Sequence, residues 1–157
     1  NIDTLVVGIC AGARYKMLKP NLLCEILKLF IKKKNVKKII FLGAGDSDIK
    51  YLNEMRKYIN FKDFNIQNLV NKVFLDESID IISNCEYYLG FDSGLFHVAA
   101  SLKIKTFGIF TKINEFSHNN WENVTIFCGK PCISNKNEYF GNSELNNISL
   151  DEVEKLL

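Results

Sequence analysis

The stretch that decides the fold is YYLGFDSGLFHVAASL, residues 87–102. Its first part, Tyr87–Phe91, is rich in aromatic and aliphatic residues and predicts a strand. Residues 92–94, Asp-Ser-Gly, provide the polar and small side chains of a turn, and Leu95–Leu102 predicts a helix. A strand that turns directly into a helix is the repeating unit of proteins with a parallel sheet.

The same alternation of strands and helices extends in both directions from this stretch. Leu5–Ile9 predicts a strand that is apolar on both faces, as a strand inside a parallel sheet must be. The other predicted strands are Lys38–Leu42, Leu69–Leu75, Thr106–Phe110 and Val124–Phe127. Neither a repeat nor a linker divides the sequence. Residues 1–157 therefore predict one α/β domain, a Rossmann-like parallel sheet with helices on both faces.

The starts of the helices also carry recognisable residues. Pro20 fits the first turn of a helix, where its missing N–H costs nothing. Polar residues before the apolar stripes can cap the later helices. The predicted caps are Asp46 or Ser47, then Asp76 or Ser78, and finally Ser149 with Glu152 three residues later.

The composition is that of a folded protein, because 47% of the 157 residues are hydrophobic and 24% are charged. The net charge of +2 is too small to indicate a nucleic acid or an anionic membrane as the partner. No apolar run approaches the roughly 20 residues of a transmembrane helix, and no signal peptide opens the sequence. We therefore expect a cytoplasmic protein.

The cysteines predict free thiols rather than disulfides. Their number is odd and several lie in apolar runs, which is typical of a protein in a reducing compartment. Cys128 and Cys132 are close in sequence, but no neighbouring Cys or His pair completes a tetrahedral zinc site. We expect neither a metal nor a cofactor. The five cysteines are Cys10, Cys24, Cys85, Cys128 and Cys132.

Three predicted loops leave the carboxyl ends of strands, which is where ligands bind in open parallel sheets. They span residues 10–16, 43–46 and 91–94, and small residues in each let the backbone approach a ligand. The helix that begins near Ser93 offers unpaired N–H groups and a positive dipole end, which suits a phosphate. A lysine or arginine from the first loop can neutralise a diphosphate.

Each of these features also has a plain structural interpretation. Asp92 and Ser93 fit a helix cap, and His97 fits a hydrogen-bonded core histidine. Residues 46–48 spell the metal-binding pattern Asp-x-Asp, but at a predicted helix start the pattern is better explained by capping. Ser93 and His97 do not indicate a hydrolase, because the Gly-x-Ser-x-Gly pattern is absent and both lie on one helix.

Residues 90–102 resemble the Asp-Ser-Gly-x-x-His-x-Ala-Ala signature of the ADP-heptose lipopolysaccharide heptosyltransferases, glycosyltransferase family 9. The resemblance continues through Lys105–Phe110. It reaches back to residues 12–18, which are similar to the family's Gly-Ala…Lys-x-Trp stretch with Leu18 in place of tryptophan. Ile39–Gly45 resembles the Gly-rich second turn of the family, and residues 147–153 resemble its closing helix.

The resemblance implies the GT-B architecture, in which two Rossmann-like domains enclose a cleft and the C-terminal domain binds most of the donor. Residues 1–157 align with that C-terminal half alone, so the acceptor site and the catalytic base would lie in an N-terminal domain absent from this sequence. We therefore expect a chain that binds a nucleotide-diphosphate sugar, foremost ADP-heptose, without metal. It would serve lipopolysaccharide core or related surface glycan synthesis and be inactive by itself. The full-length enzyme would be cytoplasmic, or peripheral at the inner face of the membrane.

The resemblance also implies which residues contact the donor. Lys16, with Lys19 as its substitute, would contact the phosphates. The amides of Ser93 and Gly94 would cap the diphosphate.

Further donor contacts follow from the same resemblance. Asp92 would orient the hydroxyls of the transferred sugar, and His97 would support the loop that carries Asp92. The remaining implied contacts are Gly12, Val73 beside the adenine and Asp46 beside the ribose.

The sequence departs from the family after Phe110, where residues 111–114 replace the usual Gly-Pro-Thr-Asp. That segment borders the donor sugar in the family, so the sugar need not be heptose. His118 and Trp121 are accordingly candidate specificity residues. A non-enzymatic alternative stays open: a lone Rossmann-like domain that binds a nucleotide or a partner protein.

Overall fold

The computed structural model describes residues 3–13, 16–110, 121–129 and 145–157, and within them it contains one six-stranded sheet whose neighbouring strands are all parallel. The strands are β1 (Thr4–Gly8), β2 (Lys38–Leu42), β3 (Ile66–Asn68), β4 (Tyr87–Phe91), β5 (Lys105–Phe110) and β6 (Val124–Cys128). The strands predicted at the positions of β2 and β4 are confirmed with the same bounds.

The strand order across the sheet is β3-β2-β1-β4-β5-β6. The chain runs outward from β1 to β3, returns to the middle, and then runs outward again from β4 to β6. Val6 of β1 lies opposite Tyr88 of β4, so these two strands are direct neighbours. Their carboxyl ends form the point at which the strand order reverses, and this is where open parallel sheets bind ligands.

Helices cover both faces of the sheet, as predicted. The helices are α1 (Pro20–Lys34), α2 (Asp46–Met55), α3 (Leu75–Ser83), α4 (Gly94–Ser101) and α5 (Leu150–Leu156). One buried apolar cluster joins the sheet to α1, α2 and α5, through residues such as Phe30, Tyr51 and Val153. A second cluster on the opposite face joins it to α3 and α4, through Ile82 and Phe96. The Rossmann-like fold class is therefore confirmed.

The predicted third strand is wrong. The strand is Ile66–Asn68, and not Leu69–Leu75. The side chain of Asn68 accepts a hydrogen bond from the N–H of Val70 at 2.9 Å, which turns the chain. Asn71 then adopts a positive φ of 58°, which ends any extended backbone.

The predicted cap of α2 is also wrong. Gly45 is the N-cap, whereas Asp46 and Ser47 are the first residues of the helix. The φ of Gly45 is +100°, a backbone conformation that residues with a Cβ rarely adopt.

Of the last two predicted helix caps, the cap of α3 is wrong and the cap of α5 is confirmed. α3 begins one residue after Phe74, and neither Asp76 nor Ser78 is its N-cap. Glu77 instead accepts a hydrogen bond from the N–H of Phe74 at 2.8 Å, which satisfies a free amide of the helix start. Ser149 is confirmed as the cap of α5, since its hydroxyl accepts from the N–H of residue 152 at 3.4 Å.

Candidate functional site

A cavity of about 580 Å³ opens at the carboxyl edge of the sheet, between the ends of β1, β2 and β4. The loop after β1, the loop after β2, and the starts of α3 and α4 form its walls. Apolar side chains line the end between the two helices: Val73, Leu75, Leu95 and Val98. Backbone and small residues from the two loops line the other end: Gly12, Ala13, Gly43 and Ala44.

The carboxylate of Asp48 joins the two loops beneath this cavity. One carboxylate oxygen accepts the N–H of Ala11 at 2.7 Å, and the other accepts the N–H of Ala44 at 2.8 Å. Asp48 is only 2% exposed, and burial raises the pKa of its carboxyl while the two backbone hydrogen bonds oppose the rise. We call this pair of hydrogen bonds the Asp48 clasp. It fixes the spacing of two loops that are far apart in sequence.

A polar cluster, formed by an ion pair and a histidine, lies beside the cavity. The ammonium group of Lys16 is 2.9 Å from one carboxylate oxygen of Asp92 and 3.3 Å from the backbone carbonyl oxygen of Asp92. The Nε2 atom of His97 is 3.9 Å from the other carboxylate oxygen. Lys16 and Asp92 each remain about a quarter exposed, so an incoming ligand can reach both groups.

The first turn of α4 faces the same cavity. Ser93 is its N-cap and, within the described residues, the Ser93 side chain makes no capping hydrogen bond. Ser93, Gly94 and Leu95 all line the cavity. The N–H groups at a helix start lack intrahelical partners and carry the positive end of the helix dipole, so this turn can bind an anion.

Cys10 lines the cavity, and its thiol contacts the sulfur of Met17 at 3.7 Å. Burial raises the pKa of the Cys10 thiol to about 12, which favours the protonated form at neutral pH. Cys10, Cys24, Cys85 and Cys128 are free thiols, as predicted. Cys132 lies outside the described residues.

No three or more His, Cys, Asp and Glu side chains in the described part of the chain are grouped so as to hold a metal ion. No described helix combines the length and hydropathy needed to cross a membrane.

The structure brings most of the predicted site residues to one place. Gly12, Val73, Ser93 and Gly94 line the cavity. Lys16, Asp92 and His97 form the polar cluster next to Ser93. Of the two residues that fit a helix cap, Ser93 is the N-cap of α4, whereas the Asp92 carboxylate contacts Lys16.

The remaining predicted residues do not line this cavity. Lys19 is exposed and precedes α1, and its N–H donates to the side-chain oxygen of Asn146 at 3.0 Å. Asp46 is the exposed first residue of α2. Trp121 is 40% exposed and precedes β6, and His118 lies outside the described residues.

Sequence reasoning missed the role of Asp48. The sequence placed it in a helix start, where an aspartate is usually a cap, and the clasp depends on a contact with residue 11 that no local pattern shows. The apolar wall was also missed, because Leu75, Leu95 and Val98 fit ordinary helix packing. The three consecutive apolar residues after Asn71 and Lys72 are the sequence signal that could have predicted this wall.

A sequence model of glycosyltransferase family 9 (heptosyltransferase) matches residues 7–144, a span that contains both loops of the cavity, Lys16 and the start of α4. The chain belongs to glycosyltransferase family 9. Within the family it is similar to lipooligosaccharide heptosyltransferase 2 of Campylobacter jejuni, with 25% identity over 118 residues. That match covers 75% of this chain and 37% of the relative, so the chain corresponds to only part of the relative's length.

Solved structures show the same fold. E. coli ADP-heptose LPS heptosyltransferase II superposes with a TM-score of 0.76 at 19% identity, over 98% of this family 9 chain and 44% of that protein. The E. coli heptosyltransferase WaaC, solved with ADP, superposes with a TM-score of 0.67 at 14% identity, over 96% of this chain and 42% of that protein. At identities of 19% and 14%, the similarity shows that the folds are alike and nothing more.

Proposed function

We propose that this chain is the donor-binding part of a glycosyltransferase. Its cavity would hold a nucleotide-diphosphate sugar, foremost ADP-heptose, for transfer to a lipopolysaccharide core or related surface glycan. The observation that carries the proposal is the position of the open first turn of α4 beside the Lys16–Asp92 ion pair at the reversal point of the sheet. A family 9 protein of the same fold that was solved with ADP supports a nucleotide as the ligand.

The diphosphate would lie on the first turn of α4. The N–H groups of Gly94 and Leu95 have no intrahelical partners and can donate to phosphate oxygens, and the helix dipole adds to the attraction. Lys16 is near enough to share its charge between Asp92 and the phosphates. Lys16 and the start of α4 would offset part of the negative charge of the diphosphate, and the proposal includes no metal ion.

The nucleoside would occupy the rest of the cavity. Its apolar end, between α3 and α4, suits the flat face of a base, with Val73 at its edge. Asp46 lies outside this wall, and the buried carboxylate of Asp48 already accepts two backbone N–H groups, so Asp48 would hold the loops against which the ribose lies. The backbone of the two glycine-containing loops permits the close approach that a ribose requires.

The sugar would extend from the diphosphate toward Asp92 and His97. An acceptor hydroxyl attacks the anomeric carbon, the bond from that carbon to the diphosphate oxygen breaks, and the diphosphate leaves with the electron pair. The acceptor's proton passes to a base outside the groups described here. Lys16 and the α4 amides stabilise the charge that develops on the leaving diphosphate. Asp92 orients the sugar hydroxyls while this occurs.

Calorimetric titration of the chain with ADP tests the phosphate contact. Lys16→Ala should weaken ADP binding by roughly 1.5–3 kcal/mol, because a charge-assisted hydrogen bond to phosphate is lost. Magnesium should be dispensable for the binding of ADP.

Two other lysines supply the controls for that titration. Lys50 is exposed on α2, so Lys50→Ala removes the same charge and should leave ADP affinity unchanged. Lys19→Ala tests the predicted substitute. ADP affinity that is unchanged in Lys16→Ala but reduced in Lys19→Ala would move the phosphate contact to Lys19 and contradict the assignment of Lys16.

A further inference from the structure

Tyr88 has a fully buried hydroxyl that the fold does not explain. The residue lies on β4, its exposed fraction is 0%, and its ring belongs to the apolar cluster under α3 and α4. Among the described residues, its hydroxyl is the buried side-chain polar atom without a hydrogen-bond partner. Leaving such a group unpaired costs stability, and phenylalanine would fill the same space without that cost.

Two glycines make room for this side chain. A Cβ at Gly8 of β1 would overlap the Tyr88 hydroxyl, and a Cβ at Gly90 of β4 would lie 2.6 Å from a ring carbon and 2.8 Å from the hydroxyl oxygen. Glycine is unfavourable inside a strand, so close approach of another group is a usual reason for its presence. Both glycines lie two residues nearer the carboxyl edge than the paired residues Val6 and Tyr88. The hydroxyl therefore points along the sheet toward the cavity.

The side chain of Ser93 lies close to this hydroxyl. Burial raises the pKa of the Tyr88 phenol, and the nearby Ser93 hydroxyl partly offsets the rise, although the two oxygens do not meet in hydrogen-bond geometry. The Ser93 side chain does not cap α4 either. A serine at an N-cap normally accepts from the second or third amide of its own helix, so this serine leaves amides of the first turn available.

We propose that Tyr88 is a positioning residue for the diphosphate site. Its hydroxyl donates a hydrogen bond to the Ser93 hydroxyl when the ligand is bound, and this keeps Ser93 away from the first-turn amides of α4. The diphosphate can then accept from those amides without competition from the helix's own cap. This inference rests on the proposed function, since it assumes that the diphosphate occupies the start of α4.

The test is a double-mutant cycle on the full-length gene product, with ADP as the probe. Tyr88→Phe should leave the melting temperature unchanged or higher, because it removes an unpaired buried hydroxyl. It should weaken ADP binding about threefold to tenfold, the range expected for one hydrogen bond. In a Ser93→Ala background the same substitution should change the dissociation constant of ADP less than about twofold, because no hydroxyl is left to be positioned.

Tyr87→Phe is the matched control. Tyr87 precedes Tyr88 on β4 and packs in the cluster on the opposite face of the sheet, so its substitution should not alter ADP affinity.

The outcomes separate this inference from the proposed function. If the wild-type protein binds no ADP, the proposed function fails and the inference fails with it. If the wild type binds ADP and Tyr88→Phe binds it equally well, the role of Tyr88 is overturned while the proposed function stands. If Tyr88→Phe loses affinity to the same extent with and without the Ser93 hydroxyl, Tyr88 does not act through Ser93, and the inference is wrong.

Discussion

Under the proposed function, the ion pair between Lys16 and Asp92 would take part in two steps of the transfer reaction. Their side chains contact each other at 2.9 Å, yet both remain partly exposed, so the pair is only weakly held in water. A diphosphate beside them competes with Asp92 for the same ammonium group. Release of Lys16 would in turn leave the Asp92 carboxylate available to the sugar hydroxyls.

This competition predicts opposite effects of Asp92→Asn on binding and on transfer. The affinity for ADP should rise slightly, by at most about fivefold, because an exposed ion pair of this kind contributes roughly 0.2–1 kcal/mol. The kcat/KM of the full-length enzyme should fall tenfold or more, equivalent to about 1.4 kcal/mol of lost transition-state stabilisation. Titration calorimetry and a donor-turnover assay measure the two effects.

Asp76→Asn is the control for Asp92→Asn, because it removes an exposed negative charge from the first turn of α3. It should change neither ADP affinity nor turnover. Turnover by Asp92→Asn that equals wild type would show that Asp92 does not orient the sugar.

At the level of single residues, the family resemblance, and not local chemistry, pointed to Lys16, Asp92 and His97 as site residues. Lys16 and Asp92 are 76 positions apart, and only the fold shows that they touch. The ribose contact implied for Asp46 stays a prediction; Asp46 is exposed and lies two residues before Asp48, which lines the cavity. The role of Asp48 was not predicted, because its two hydrogen-bond donors lie in loops that only the folded chain brings together.

At the level of elements, burial decided which strands could be predicted. β2 and β4 are buried along nearly their whole length, so their runs of apolar residues stand out in the sequence. β3 is a three-residue edge strand with partly exposed side chains, and the residues that surround it are more apolar than the strand itself. The third strand was therefore predicted at those apolar residues, but one of them, Val73, lines the cavity and is not part of the sheet.

The Asp48 clasp predicts that the two loops of the cavity are coupled. Asp48→Asn keeps the shape of the side chain but supplies one oxygen where two N–H groups need acceptors. We expect a loss of about 1–3 kcal/mol in the free energy of unfolding, because one buried N–H then faces an NH₂ group. ADP affinity should fall as well, since the loops lose their fixed spacing. Urea denaturation and calorimetry are the measurements.

Asp46→Asn provides the comparison for the clasp, since the same change two residues earlier affects an exposed side chain. It should alter the free energy of unfolding by no more than about 0.5 kcal/mol. Equal stability of Asp46→Asn and Asp48→Asn would mean that the clasp does not hold the loops together.

At the level of the whole molecule, the sheet order explains why so many separate segments meet at one cavity. The reversal between β1 and β4 leaves a gap at the carboxyl edge, into which loops from β1, β2 and β4 all project. The matches cover 37% of a curated relative and 44% of a solved one, and the described chain is one Rossmann-like unit. A transfer reaction also needs an acceptor and a base, which we propose lie in another part of the enzyme.

The most direct test of the central claim is an NMR titration of the ¹⁵N-labelled chain with ADP in the absence of magnesium. The account predicts saturable shifts in the amides of residues 11–13, 43–46, 73–76 and 93–97, the segments that form the cavity and the start of α4. Shifts confined to another surface, such as the groove beside Ile66–Asn68, would contradict it. So would the absence of saturable shifts, which would favour a module that binds a different partner.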